Sequence, residues 1–180
     1  PYEEPPLHWL IEEGRPSEKK QGRRQAGYIY RDPKAPVTSD EHQARGQWVP
    51  LELVNLIRER MNDWRQQHYP GVTRITIELL TYWRHEGRQH RLFFAQLEAV
   101  ETIIFLHEAR TDFLQGIDIP IDEISDDRRA NGYNAFKRYG CKMATGSGKT
   151  TVMGMLAAWS ILNKVQNKND GRFSDVVLVV

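Results

Sequence analysis

Cysteine is nearly absent from this sequence. Cys141 is the only one in 180 residues, so no internal disulfide can form and a disulfide-stapled secreted scaffold is excluded. A reducing, cytoplasmic compartment is the expectation. Long apolar runs are also missing. Nothing approaches the roughly 20 apolar residues of a membrane span, and the opening "PYEEPPLHWL" lacks the basic start and apolar core of a signal peptide. No membrane partner is expected. Neither sign of charge dominates: 25 Lys and Arg against 24 Asp and Glu leave a net +1. That excludes an overwhelmingly basic surface but not a local basic track. Metal-ligand clusters are scarce as well. "HEGRQH", His85 to His90, departs from H-E-x-x-H because its histidines lie five apart and Gln89 stands where the second should be. Side chains at that spacing point in different directions on a helix, so zinc is not expected.

What is present reads as soluble and globular, with 27% charged and 39% apolar residues. The first 50 residues are rich in Pro, Gly and charge. "EEGRPSEKKQGRRQAG", Glu12 to Gly27, shows neither a helical nor a strand period. It reads as a solvated loop, or alternatively as a basic arm on nucleic acid through Lys19, Lys20, Arg23 and Arg24. "GYIYR" suggests a short strand. Over residues 51–68, Val54, Ile57, Met61 and Trp64 recur at three and four and predict an amphipathic helix. Pro70 and Gly71 stop it. Thr73 caps a second helix through Trp83, with Ile75, Leu79, Leu80 and Trp83 inward. A third helix is expected from about Leu92 to Glu108 around Leu97, Val100 and Ile104. Residues 110–137 form a long irregular insert, and connections of that length are functional or disordered.

The period then changes. Arg138–Ala144 reads as a buried strand, Thr150 to about Val165 as a helix with Val152, Met155, Leu156, Trp159 and Leu162 inward, and "VVLVV" as a second buried strand. Strand, turn, helix and strand in this order predict a βαβ unit with a parallel sheet. Cys141 is expected to be buried in the first strand as an inert thiol.

The turn inside that unit is "CKMATGSGKTT", Cys141 to Thr151. Phosphate oxygens need closely packed donors. Gly146 and Gly148 let backbone N–H groups converge with no Cβ in the way. The helix that follows turns its unpaired N–H groups and positive dipole end toward the same point. Lys149 would reach the β- and γ-phosphates, and the Thr150 hydroxyl would hold Mg²⁺. Thr145, Gly146, Ser147, Gly148, Lys149, Thr150 and Thr151 are therefore candidate nucleotide-binding residues, with Lys149 the candidate catalytic one. Met143 replaces the first glycine of G-x-x-x-x-G-K-[ST]. Upstream, Gln96 in "RLFFAQLEAV" has an amide able to both donate to and accept from an adenine, with Phe93 or Phe94 near the base. By residue type alone it also reads as an ordinary helix glutamine.

"YPGVTRITIELLTYWRHEGRQHRLFFAQLEAVETIIFL", "CKMATGSGKTTVMGMLAAWSILNKV" and "RFSDVVLVV" together resemble DEAD/DEAH-type superfamily 2 helicases and ATPases related to the type III restriction enzyme Res subunits. The likeness covers roughly Pro50 to Val180 and is weaker at "PYEEP" and "GRPSE". A-T-G-S-G-K-T without the first glycine is the variant common in that superfamily. The resemblance implies an α/β fold: an incomplete P-loop (RecA-like) parallel sheet over residues 87–180, preceded by an N-terminal extension over 1–86, loop-rich and then helical. It implies ATP and Mg²⁺ as ligands, Gln96 as the adenine-sensing glutamine, duplex DNA as the track and a DNA-modification (methyltransferase) subunit as partner. The missing initial Met and the close on "SDVVLVV" lead us to expect a piece of a longer polypeptide, cut before the acidic Mg²⁺-binding motif and inactive as an ATP hydrolase alone. Two other readings stand beside it. One is another P-loop NTPase. The other is a non-catalytic DNA-binding or scaffolding module with a vestigial cradle.

Overall fold

The computed structural model describes residues 1–10, 17–30 and 47–179. They form two compact units, one of Glu4–Glu59 and one of Pro1–Glu3 with Arg60–Val180. This grouping places residues 60–86 with the helices that follow them.

The Glu4–Glu59 unit holds two antiparallel strand pairs. β1 (Leu7–Leu10) pairs with β2 (Glu18–Gln21), with Trp9 opposite Lys19 and Leu10 opposite Glu18. β3 (Gly27–Tyr30) pairs with β4 (Gln47–Pro50), so "GYIY" is a strand as its composition suggests. The side chain of Asn55 clamps the backbone of Ala26 from both sides, accepting from its N–H at 2.8 Å and donating to its carbonyl at 3.1 Å. The loop reading of residues 12–27 is corrected at Glu18–Gln21, which are strand; residues 11–16 lie outside the described set. Charged residues are poor strand formers alone, but cross-strand pairing overrides that preference where both faces are wet.

The other unit is helical. α1 (Glu52–Gln66) contributes its last residues to it, and α2 (Arg74–Arg84) and α3 (Phe94–Glu108) follow. Thr73 caps α2 as its type dictates, its hydroxyl accepting from the Thr76 N–H at 3.1 Å. α3 is apolar over most of its circumference, which fits a helix enclosed by others. Val100, Ile104 and Phe105 are fully buried in it. Trp64 of α1 sits edge-on to Phe105, ring centroids 5.4 Å apart. Each such side chain contributes on the order of 1.5–3 kcal/mol by leaving water. α2 buries Leu80, Trp83 and Thr76, while Ile75 and Leu79 are only half-buried.

Residues 110–137 are mostly exposed and carry a two-residue ladder, β5 (Ile121–Asp122) with β6 (Phe136–Lys137), around a short helix α4 (Asp126–Ala130). The last helix, α5 (Lys149–Gln166), packs on α2 and α3. Val152, Met155 and Trp159 are buried as the sequence predicts, whereas Leu162 is 45% exposed.

The expected parallel βαβ sheet is not formed among the described residues; every ladder there is an antiparallel pair. Residues 138–144 and 175–179 carry no strand. Cys141 is exposed rather than buried, and Val176 and Leu178 are 78% and 86% exposed. β-branched composition supplies strand propensity, but a strand exists only through a hydrogen-bonded neighbour, and an isolated pair is marginal. No helix among the described residues is long and apolar enough to cross a membrane.

Candidate phosphate cradle

The turn from Ala144 to Gly148 is shaped by its glycines. Gly146 and Gly148 adopt φ of +78° and +84°, the left-handed region where a Cβ is strained. The turn closes on one carbonyl. Ala144 O accepts from the Ser147 N–H at 3.3 Å, the Ser147 hydroxyl at 2.7 Å and the Lys149 ammonium at 3.1 Å. Lys149 thus lies folded over the mouth of the loop.

Gly148 is the N-cap of α5 and has no side chain to bond the first-turn N–H groups. The first helical bond runs from Val152 N to Gly148 O. The donors ahead of it, on Lys149, Thr150 and Thr151, sit at the start of an 18-residue helix, where the dipole favours an anion. These three residues are exposed. A methyl group built on Gly146 would meet nothing within 4 Å, so the space above the loop is open.

Gln96 and the cradle, far apart in sequence, are brought together. Gln96 is 6% exposed. Its Oε1 accepts from the Phe93 N–H at 2.8 Å and caps α3. Its Nε2 lies so close to Gly148 that a Cβ there would stand 1.9 Å away. Gly148 is therefore required twice, by its dihedral and by the glutamine. The amide oxygen is thus engaged with α3, and the amide nitrogen abuts the loop. A cavity of about 170 Å³ near the start of α3 is lined instead by Tyr2, Trp83, Arg84, Arg91 and Leu97, among others. Tyr2 packs on Phe93 at 5.6 Å and lies under the Arg91 guanidinium at 4.8 Å.

Next to the cradle, Cys141 is exposed as a residue, but the protein around its thiol takes away part of its hydration and pushes its pKa up, and the Glu98 carboxylate adds to it. The Tyr139 hydroxyl is buried without a hydrogen-bond partner, and that burial raises its pKa. Among the described residues, no three His, Cys, Asp or Glu side chains gather to hold a metal ion.

Sequence reasoning missed what anchors α5. Glu108, 3% exposed, accepts from Trp159 Nε1 at 2.7 Å, the Thr76 hydroxyl at 2.6 Å and the Thr73 N–H at 2.8 Å. Asn163 Nδ2 donates to Thr76 Oγ1 at 3.0 Å. One turn-pair earlier on the same face of α3, Glu101 takes Arg65 Nε at 2.6 Å and Arg84 at 2.5 Å. Burial alone would lower the Arg84 pKa, but Glu101 and Tyr69 beside it hold it above its usual value. Burial also raises Tyr69, and Glu101 adds to that shift. The available signal was two carboxylates seven apart inside an apolar helix, which places both on one side of it.

No family model matches the chain, and no curated protein or solved structure matches it.

Proposed function

We propose that Thr145–Thr151 form the phosphate site of an ATP-hydrolysing DNA translocase of the type III restriction kind. The observation that carries this reading is the pairing of two left-handed glycines with an uncapped helix start under Lys149. Backbone N–H groups of Gly146, Gly148, Lys149 and Thr150 would donate to the β- and γ-phosphate oxygens. Lys149 would exchange its bond to the Ala144 carbonyl for a phosphate oxygen, which carries more charge and binds an ammonium more strongly. The Thr150 hydroxyl, exposed at the first turn, suits Mg²⁺, an oxygen-seeking ion. Mg²⁺ when bound would neutralise charge on the transferring phosphoryl group.

The resemblance adds the rest of the proposal. Residues 138–144 and 176–179 would take places in a parallel sheet once neighbouring strands flank them. Duplex DNA would be the track, a methyltransferase subunit the partner and the cytoplasm the compartment. Hydrolysis needs a carboxylate to position the metal and water and an arginine from a second lobe. The resemblance would place both later in the family's order of motifs than the cradle, so the chain by itself is expected to bind nucleotide weakly and not turn it over.

Equilibrium binding of Mg·ATP and of tripolyphosphate tests this. Both should bind, both should be lost on Lys149→Ala, and steady-state hydrolysis should stay at the buffer rate. Equal binding by wild type and Lys149→Ala would overturn the cradle. A helicase-like hydrolysis rate abolished by Lys149→Ala would sink the claim that the chain is inactive alone. A second reading, a nucleic-acid-binding module with a vestigial cradle, draws support from the first strand pair of the Glu4–Glu59 unit.

A further inference from the structure

The β1–β2 pair sorts its charges by face. Cross-strand partners share a face and successive residues alternate. Leu7, Trp9, Lys19 and Gln21 therefore lie on one side, and His8, Leu10, Glu18 and Lys20 on the other. On the second side Lys20 is paired with Glu18 at 3.3 Å, so that face is balanced. Arg23 is likewise drawn to Glu4 at 3.8 Å.

The first side differs. Trp9 is 49% exposed, a large apolar ring left in water on a strand. The Lys19 ammonium stands 5.0 Å from its centroid, and Arg24 bonds the Trp9 backbone carbonyl. No ion pair joins Lys19 or Arg24 to a carboxylate among the described residues. Three residues beyond Arg24, β3 presents Tyr28 and Tyr30 on one face at 49% and 50% exposure. Lys19 covers one part of a half-exposed indole and Arg24 holds the backbone of the same residue; with more open rings close behind in the chain, they combine phosphate attraction with flat stacking surfaces.

We propose that the Trp9 face of the β1–β2 pair binds single-stranded nucleic acid. An unpaired base stacks on the Trp9 indole, Lys19 exchanges its place over the ring for a flanking phosphate, and Arg24 contacts the phosphate on the other side. Single strands are the occupant because a base inside a duplex is already stacked and cannot offer its face to an indole. An acidic peptide would satisfy the two cations but leave the ring in water. Of the four basic residues in this stretch, the structure assigns the contact to Lys19 and Arg24 and leaves Lys20 and Arg23 to their carboxylates. The inference stands apart from the cradle, since its test needs no nucleotide.

The experiment is fluorescence anisotropy of a labelled oligothymidylate of about 20 nucleotides, titrated with the full 180-residue chain at several salt concentrations, beside a duplex of the same length. The single strand should bind more tightly than the duplex. Trp9→Leu, which keeps an apolar strand residue, should weaken binding at least about fivefold at fixed salt. Trp9→Phe, which keeps a ring, should hold it. Lys19→Gln with Arg24→Gln should flatten the log–log salt slope by about 1.4. Lys20→Gln should leave the slope nearly unchanged. Absence of binding overturns the proposal, as does an unchanged affinity in Trp9→Leu, a preference for the duplex, or displacement by polyglutamate as effective as by unlabelled oligothymidylate.

Discussion

Gly148 shows how narrowly one residue can be constrained. Its φ of +84° disfavours any Cβ, and Gln96 Nε2 occupies the space a Cβ would take. Gly148→Ala should destabilise the chain by about 2–4 kcal/mol, combining left-handed strain with overpacking. Gln96→Ala has its own cost, since it removes the bond to the Phe93 N–H, but the double variant should lose less than the sum of the two single losses, because the clash is gone. Urea unfolding of the two single variants and the double variant measures the coupling. Asp170 is a second residue-scale case. The Arg172 side chain bonds its carboxylate at 2.8 Å and the Arg172 N–H at 3.0 Å, which holds its pKa at about 2. The unfolded value is about 3.9, so the folded value is depressed. The stability this pair adds is present above pH ~4 and is lost as pH falls toward about 2. An NMR titration should find the Asp170 midpoint near 2, returning toward about 3.9 in Arg172→Gln.

Among the elements, α3 is the hub. It carries two buried carboxylates on one side, each wired to two other segments. Glu101 joins the end of α1 to α2 through Arg65 and Arg84. Glu108 joins the start of α2 to α5 through Thr73, Thr76 and Trp159. The cradle helix is thus fixed in place by a polar contact some ten residues beyond the cradle itself. Glu108→Ala leaves the indole N–H, a hydroxyl and a backbone N–H buried without an acceptor, and it should cost about 3–5 kcal/mol. Trp159→Phe removes only one of those donors and should cost less, about 1–2 kcal/mol. Chemical denaturation ranks the two, and the reverse order would refute the assignment of Glu108 as the network's centre. The helices themselves were legible in the sequence. Thr73 announced the start of α2, and the three–four spacing placed Val100, Ile104, Val152 and Met155 inward, because caps and periods are local. Thr76 was not legible, since a threonine on an inward face gains its value only from Glu108, Trp159 and Asn163.

For the molecule as a whole, hydrogen exchange should divide the chain by burial. Amides of Val100 to Leu106, enclosed on α3, should exchange slowest. Those of Val176 to Val179, exposed and without a ladder, should exchange within seconds. Slow exchange at 176–179 would mean that a strand pairs there after all. The same segments mark the limit of reading a fold from composition. Their β-branched residues state a preference, whereas a strand needs a partner that composition does not name. The β1–β2 pair is the converse case: "EKKQ" carries no strand signal, yet it pairs because Leu7–Leu10 offers a matching edge.

Local features were therefore decided by the sequence alone: the helix periods, the Thr73 cap, and the glycine-lysine-threonine turn proposed as the cradle. Each depends on neighbours within a few residues, where covalent geometry and spacing suffice. Tertiary structure alone decided which distant groups meet. It set Gln96 against Gly148, gathered Thr76, Glu108, Trp159 and Asn163, and left Lys19 and Arg24 beside Trp9 while Lys20 found Glu18. Such pairings depend on how elements pack and on which face a strand turns outward, and no spacing along the chain encodes either.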